Sequence, residues 1–349
     1  MNNIRKECGL TKYSTSCGCA AKLSPFGLSD MLKNLETQKN PNLLVGYENA
    51  DDAAVYKFSE QTSLVFTVDV NSPPVDDPFI SGQIIASNAL SDVYAMGAKP
   101  ILCLNIVSFP EYLESSIPRI IEGAISKIEE SGATLAGGHT VYDEEPKFGL
   151  SVIGTVDSEK FWENRNAKVG DHLILTKPIG NGIYFSAKKQ NKKICEKKFH
   201  DCLSYSVMLN KTACEVASNF NVHTATDITG FGLLGHTMEI AKASNITCEL
   251  NTSNIPIFKD SMSLYEDGIT TNITSLNLDM VKPYVKMKDD IKYSLLQVLS
   301  DPQTNGGLLL FVSEYDSEKL LSSLYRNGLY DSKVIGKVTE YNEKNIVLY

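Results

Sequence analysis

The stretch Leu64-Val-Phe-Thr-Val-Asp69, with Pro78-Phe-Ile-Ser-Gly-Gln-Ile-Ile-Ala-Ser-Asn88-Ala-Leu-Ser-Asp92-Val-Tyr-Ala-Met-Gly97 after it, decides the fold. Its first part is β-rich and closes on a carboxylate. Its second part is helical: Pro78 stands near the start, apolar Ile85, Ala89 and Val93 recur at i, i+4 spacing, and Gly97 and Pro100 follow the end. Outward from there, a strand at Ile101–Val107, a helix over about Ile117–Ser131 and strands at Ala133–Ala136 and Phe148–Val156 continue the alternation. The charged stretch Asp157–Gly170 holds the only Trp, Trp162, and marks a domain junction. A second unit opens with a strand at His172–Thr176 and repeats strand, glycine turn and helix at Ala225-Thr-Asp-Ile-Thr-Gly-Phe-Gly-Leu-Leu-Gly235. It closes with a strand near Gly307–Val312. Such alternation predicts an α/β (α+β) fold of packed layers. The expected organisation is a mobile arm over 1–45, whose only helix-like stretch is Leu28–Leu35, then domains at 46–158 and 159–349.

Composition narrows the function. The chain of 349 residues carries 33 Lys and Arg against 42 Asp and Glu, a net charge of −9, which argues against nucleic acid as a partner. With 42% hydrophobic and 21% charged residues it is neither disordered nor fibrous, and its length exceeds the roughly 250–300 residues at which one core stops growing. Apolar runs such as Leu308–Val312 fall far short of the roughly 20 residues that cross a bilayer. The polar N-terminus lacks a secretory h-region, and the eight cysteines are scattered, so the expected location is the cytoplasm.

Four aspartates carry the chemical argument. Asp51-Asp52 precedes an apolar β-like run, where only one of two adjacent side chains points into a given site; the pair also suits a solvated turn. Ile84, Asn88 and Asp92 share one helical face amid small apolar residues, so a buried Asp92 demands a cation. Asp69 and Asp227 end strands, and Asp227 precedes a Gly230-Phe-Gly232 turn. Two carboxylates about 4 Å apart repel by about 4 kcal/mol at an effective dielectric of about 20. Convergence therefore calls for a hard cation such as Mg²⁺, which binds through a few carboxylates together with substrate phosphates. Ala136-Gly-Gly-His139-Thr follows a strand and suits either close backbone approach to a ligand or a plain turn. No P-loop or protein-kinase glycine loop occurs.

Near the N-terminus, Cys17-Gly-Cys19-Ala-Ala-Lys22 presents a soft nucleophile with a cation downstream, an arrangement that favours a thiolate; an incidental exposed pair is the alternative. The lysines from Lys188 to Lys198 suit a solvated surface, His236 a satisfied helix histidine, and Asp301-Pro-Gln-Thr-Asn-Gly-Gly307 a tight turn entering a strand.

Taken in order, Leu10-Thr-Lys-Tyr-Ser, Cys17-Gly-Cys, Asn42-Leu-Leu-Val-Gly46, Asp51-Asp-Ala-Ala-Val-Tyr56, Asn88 to Pro100, Leu135-Ala-Gly-Gly-His139, Thr226 to His236 and Asp301 to Gly307 closely resemble the selenophosphate synthetases, or selenide, water dikinases. The resemblance covers nearly the whole chain. It implies the two-domain fold shared with aminoimidazole ribonucleotide synthetase, a homodimer formed through the sheet of the first domain, and conversion of ATP, selenide and water to selenophosphate, AMP and phosphate. It implies Mg²⁺ on Asp52, Asp92 and Asp227. It further implies ATP contacts from Lys22, Asn49, Ala50, Asp51, Asp69, Asp92, His139, Thr140 and Val141, and catalytic roles for Cys17 and Lys22. In some members a lysine directly follows the second cysteine; here Ala20 and Ala21 intervene. Selenide, free or from a delivery protein, is the implied partner. A small-molecule kinase of the same fold and a non-enzymatic selenium or metal carrier are the rival readings.

Overall fold

The computed structural model describes residues 9–21, 40–46, 48–288 and 290–349. Lys22 and the helix expected at Leu28–Leu35 lie outside the described residues.

The first domain is a six-stranded sheet built from β1 (Leu43–Val45), β2 (Ala54–Lys57), β3 (Thr62–Asn71), β4 (Lys99–Phe109), β5 (Thr134–Tyr142) and β6 (Lys147–Asp157), in the order β1-β2-β3-β6-β4-β5. Every pairing is antiparallel except β4 with β5. Helix α1 (Pro78–Ala95) connects β3 to β4, and α2 (Ile117–Ser131) makes the crossover between the parallel pair. Asp77 caps α1 by accepting from the Ile80 amide at 2.9 Å, and Pro78 occupies the first turn, as the sequence predicts.

The strand expected at Ala133–Ala136 runs on to Tyr142, so Gly137-Gly138-His139 lies within β5 and not in a turn. The physical reason is local. A Cβ on Gly138 would come within 1.9 Å of Asn105 Oδ1 on β4, so the missing side chain makes room for the neighbouring strand.

The second domain is a seven-stranded mixed sheet: β7 (His172–Leu175), β8 (Val222–Asp227), β9 (Ile246–Leu250), β10 (Val285–Met287), β11 (Leu308–Val312), β12 (Lys333–Glu340) and β13 (Ile346–Leu348). Their order is β10-β13-β9-β12-β7-β11-β8. The apolar run of β11 is wholly buried, paired on both sides by β7 and β8. One hydrophobic core continues from the first domain into the second, joining Ile85, Leu90 and Val93 of α1 to Leu308, Leu310 and Val312 of β11. Because α1 is enclosed by its own sheet, by α2 and by the second domain, it is buried on nearly all sides and lacks the polar face of a surface helix.

α1 and α2 cross backbone to backbone. A Cβ on Gly82 would meet the Ile120 carbonyl oxygen at 1.9 Å, and one on Gly123 the Phe79 carbonyl oxygen at 2.0 Å. Alanine gains up to about 1 kcal/mol of helix propensity over glycine, but overpacking costs roughly 1–3 kcal/mol. Gly123→Ala is therefore expected to lower the urea midpoint of unfolding, and an unchanged or higher midpoint would contradict the close crossing.

Candidate active site

Alternation along β3 turns Thr67, Asp69 and Asn71 toward α1, and the helical period brings Asn88 and Asp92 down onto them. Asn88 is 0% exposed and bonded at both ends of its amide. Its Nδ2 donates to Asp69 Oδ2, while its Oδ1 accepts from the Asn305 backbone amide and from Cys19 Sγ at 3.6 Å. Asn71 Nδ2 donates to the same Asp69 oxygen at 3.1 Å. One helical turn on, Asp92 Oδ2 accepts from Thr67 Oγ1 at 2.6 Å.

Asp51 and Asp52 diverge, as neighbours entering a strand must. Asp51 Oδ1 accepts from the Asn164 backbone amide at 2.7 Å, and the Asn164 side chain donates to the carbonyls of Asn49 at 3.3 Å and Ala50 at 2.9 Å. Burial lifts the Asp51 carboxyl to about 6 against the pull of that amide. Asp52 crosses to the second domain, where Thr226 Oγ1 donates to its Oδ1 at 3.1 Å. Burial first, and then the charges of Asp227 and Asp92, push Asp52 well above the usual carboxylate range, while the Thr226 bond pulls it down. The three predicted metal-binding aspartates are thus within electrostatic reach of one another at the domain seam. Asp227 itself is fully buried at the end of β8.

A cation stands behind this cluster. Lys177 is buried, donates to the carbonyls of Met208 at 2.7 Å and Asn305 at 3.1 Å, and is held down to about 7 by burial while Asp227 supports its charge. Asp52 Oδ2 and Asp51 Oδ2 are buried without a hydrogen-bond partner. Among the described residues no group of three or more His, Cys, Asp or Glu forms a ready-made metal cage.

Other predicted residues fall elsewhere. The register carries a row from Asp69 through Leu150 and Asn105 to Gly138. His139, Thr140 and Val141 therefore lie on the exposed edge strand, three strand spacings or about 14 Å from Asp69. A cavity of about 820 Å3, lined in part by Trp162, Phe220 and Lys211, includes none of the four aspartates.

The arm has a defined seat over residues 9–21. Leu10 is fully buried, Thr11 donates through its amide and hydroxyl to Asp76 at 3.0 and 2.6 Å, and Gly18 bridges Ser72. Gly18, at φ +48°, turns Cys17 and Cys19 to different surroundings. Cys19 lies buried against Asn88, while Cys17 faces the second domain. In this seat burial pushes the Cys17 thiol up to about 11, and Lys189 opposes that shift.

The sequence reading placed Asn88 on the right helical face without giving it a role, and it passed over Thr67, Thr226, Asn164 and Lys177. The Asp301–Gly307 segment, read as a plain turn, is buried and joins the two domains through Asn305 to Asn88 and through Thr304 Oγ1, which accepts from the Cys19 amide at 3.2 Å. A polar run rich in amides directly before an apolar strand was the available signal. His236, as expected, is satisfied, by Thr229 at 3.2 Å and Glu239 at 3.1 Å.

Comparison with known proteins bears on this geometry. The profile of the AIR synthase related protein N-terminal domain matches residues 50–156, and that of the corresponding C-terminal domain residues 168–348. A protein of Clostridioides difficile named Selenide, water dikinase is 44% identical over 97% of this chain and 98% of its own length. Among solved structures, thiamine monophosphate kinase from Aquifex aeolicus superposes with a TM-score of 0.65 at 18% identity, covering 94% of this chain and 97% of that one. The hydrogenase maturation protein HypE in complex with ATP gives 0.65 at 19% identity, covering 97% and 93%. These two show the fold.

The crowding of acids sets a stability prediction. Asp52 holds its proton more tightly in the folded chain than in the unfolded one, so its contribution to stability is present at low pH and lost as pH rises above about 4. Asp52→Asn is expected to stabilise the protein, without nucleotide or metal, by on the order of 1 kcal/mol at pH 8. Scanning calorimetry should show that gain as roughly 2–4 °C in Tm, shrinking toward zero near pH 4. A loss of Tm at pH 8 would contradict the repulsion.

Proposed function

The chain belongs to the selenide, water dikinase family, and from that premise we propose how its residues divide the ATP-dependent synthesis of selenophosphate from selenide and water, with release of AMP and phosphate. The observation that carries the assignment of residues is the gathering of Asp52, Asp92 and Asp227 at the seam, beside Asp69 and beneath an arm bearing two thiols.

Mg²⁺ fits this donor set. Asp52 Oδ2 is buried and lacks a hydrogen-bond partner, and the carboxylates are near one another without closing a cage. That arrangement suits an ion whose coordination is completed by substrate phosphates. Asp52, Asp92 and Asp227 are the residues assigned to hold it; when bound, Mg²⁺ neutralises phosphate charge and polarises the phosphoryl groups. The remaining work falls to the chain. Thr67 and Thr226 aim Asp92 and Asp52, Asn71 and Asn88 orient Asp69 toward the nucleotide, and Asn164 fixes the Asn49–Asp51 segment. His139–Val141 is assigned to the far end of the nucleotide, a separation an extended ATP is able to span. Cys17 is assigned to selenide and the docked arm to exclusion of water. Lys22 is assigned the family lysine's place at the phosphates.

We also propose a homodimer through the first sheet. The face of that sheet away from α1 exposes Phe66 (52%), Val68 (61%) and Leu104 (44%), and the register aligns Phe66 with Ile153 and Leu102, and Val68 with Ser151 and Leu104. A contiguous apolar sheet face of this kind marks an interface. The seven described cysteines are all free, which suits a reducing compartment and hence the cytoplasm.

Incubation with ATP and Mg²⁺, with and without selenide, tests the reaction: AMP should form only with selenide, whereas ADP formed regardless of selenide would identify a simple kinase. Asp227→Asn should lower selenide-dependent AMP formation at least about 100-fold. Light scattering on a Phe66→Asp, Val68→Asp double variant should report a monomer where the parent is a dimer, and a parent that is itself monomeric would refute the interface.

A further inference from the structure

Between the arm and the second domain lies a cavity of about 40 Å3, formed by Ser16 and Cys17 on one side and by Ser186, Thr271, Asn272 and Thr304 on the other. It has room for one or two water-sized species and none for a nucleotide. No carboxylate lines it. Asn272 closes it by donating to Ser16 Oγ at 3.1 Å and to the Thr15 carbonyl at 3.4 Å, so the cavity exists only while the arm is docked. Among the described residues the cation acting on Cys17 is Lys189, whose ammonium donates to the Ser14 carbonyl. The nearest acid is Asp76, which is engaged by Thr11.

We propose that this cavity seats a soft anion with a single heavy atom, hydroselenide, held by the Cys17 thiol and the hydroxyls of Thr271 and Thr304 in the field of Lys189, with Ser186 shaping the wall. The inference rests on the selenide reading above and adds the location and the residues. Three physical points support it. An anion of this size needs donors and a nearby positive charge, not a phosphate-sized cradle, and the lining supplies donors. A thiolate at position 17 would repel the anion, whereas burial lifts that thiol to about 11 and keeps it a neutral S–H donor near pH 7. The seat also adjoins the nucleotide carboxylates without opening onto them. Thr304 lines the cavity and accepts the Cys19 amide, while the neighbouring Cys19 thiol rests on Asn88, which holds Asp69. A Cβ on Gly18 would fall 2.1 Å from Thr304 Oγ1, so glycine is required for the arm to close this wall.

The test uses the full chain under anaerobic conditions. Equilibrium dialysis without ATP should find one hydroselenide bound per chain, displaced by hydrosulfide, which has the same charge and nearly the same size. Ser186→Leu, which fills the cavity, and Lys189→Gln, which removes the charge from a half-buried site and is not expected to disturb folding, should each weaken that binding and raise KM for selenide at least tenfold. KM for ATP should move less than twofold. Selenide KM within twofold of the parent in both variants, no binding to the parent without ATP, or no displacement by hydrosulfide would each overturn the seat while leaving selenide-dependent AMP formation intact. Absence of that AMP formation in the parent would instead bring down the reading on which the seat depends.

Discussion

A helix enclosed on every side tolerates polar residues only where each finds a partner, and α1 (Pro78–Ala95) is such a helix. Its serines and Asn88 sit among atoms that water does not reach, and Asp92 is half-buried beside them; there an unpaired amide costs about 1–3 kcal/mol and an unpaired charge more. The structure resolves this by turning each one outward to a different neighbour. Ser87 donates to the Val207 carbonyl, Ser91 accepts from Asn210, Asn88 ties Asp69 to Asn305, and Asp92 accepts from Thr67. The need to satisfy one buried helix thereby fixes how the second domain docks on the first and where the acidic site forms.

The same enclosure makes the site electrostatically tense. Asp52, Asp92 and Asp227 come from two domains into a region of low polarity, and the raised proton affinity of Asp52 is one relief available to the protein alone. Lys177 offers a second, reaching the cluster from behind through the Asn305 turn. A site of this kind is less stable empty than filled, which is the condition under which binding of a cation and a polyanion together is most strongly driven. The cavity of about 820 Å3 is lined by none of these aspartates.

The arm adds a separation of functions at single-residue scale. Gly18 allows Cys17 and Cys19 to face opposite ways, one toward the hydroxyl-lined wall of the second domain and the other toward Asn88. Docking the arm therefore couples the thiols to both domains at once, and any opening of the seam changes the surroundings of both.

Local order was legible in the sequence. The β-rich run through Asp69, the Pro78 start and Gly97 stop of α1, and the apolar run of β11 all report backbone preferences and burial that act over a few residues; each element forms there, although β3 runs on two residues past Asp69 to Asn71. The ordered motifs likewise identified the family. What the chain alone could not disclose is which side chains meet across the seam. Asn88 reads as a polar residue on a helix until Asn305 and Asp69 reach it, Gly138 reads as part of a turn until β5 carries it against Asn105, and Cys17 reads as an exposed thiol until burial raises its pKa. Hydrogen bonds and desolvation depend on distance in space, not on spacing along the chain, so those assignments came only with the tertiary structure.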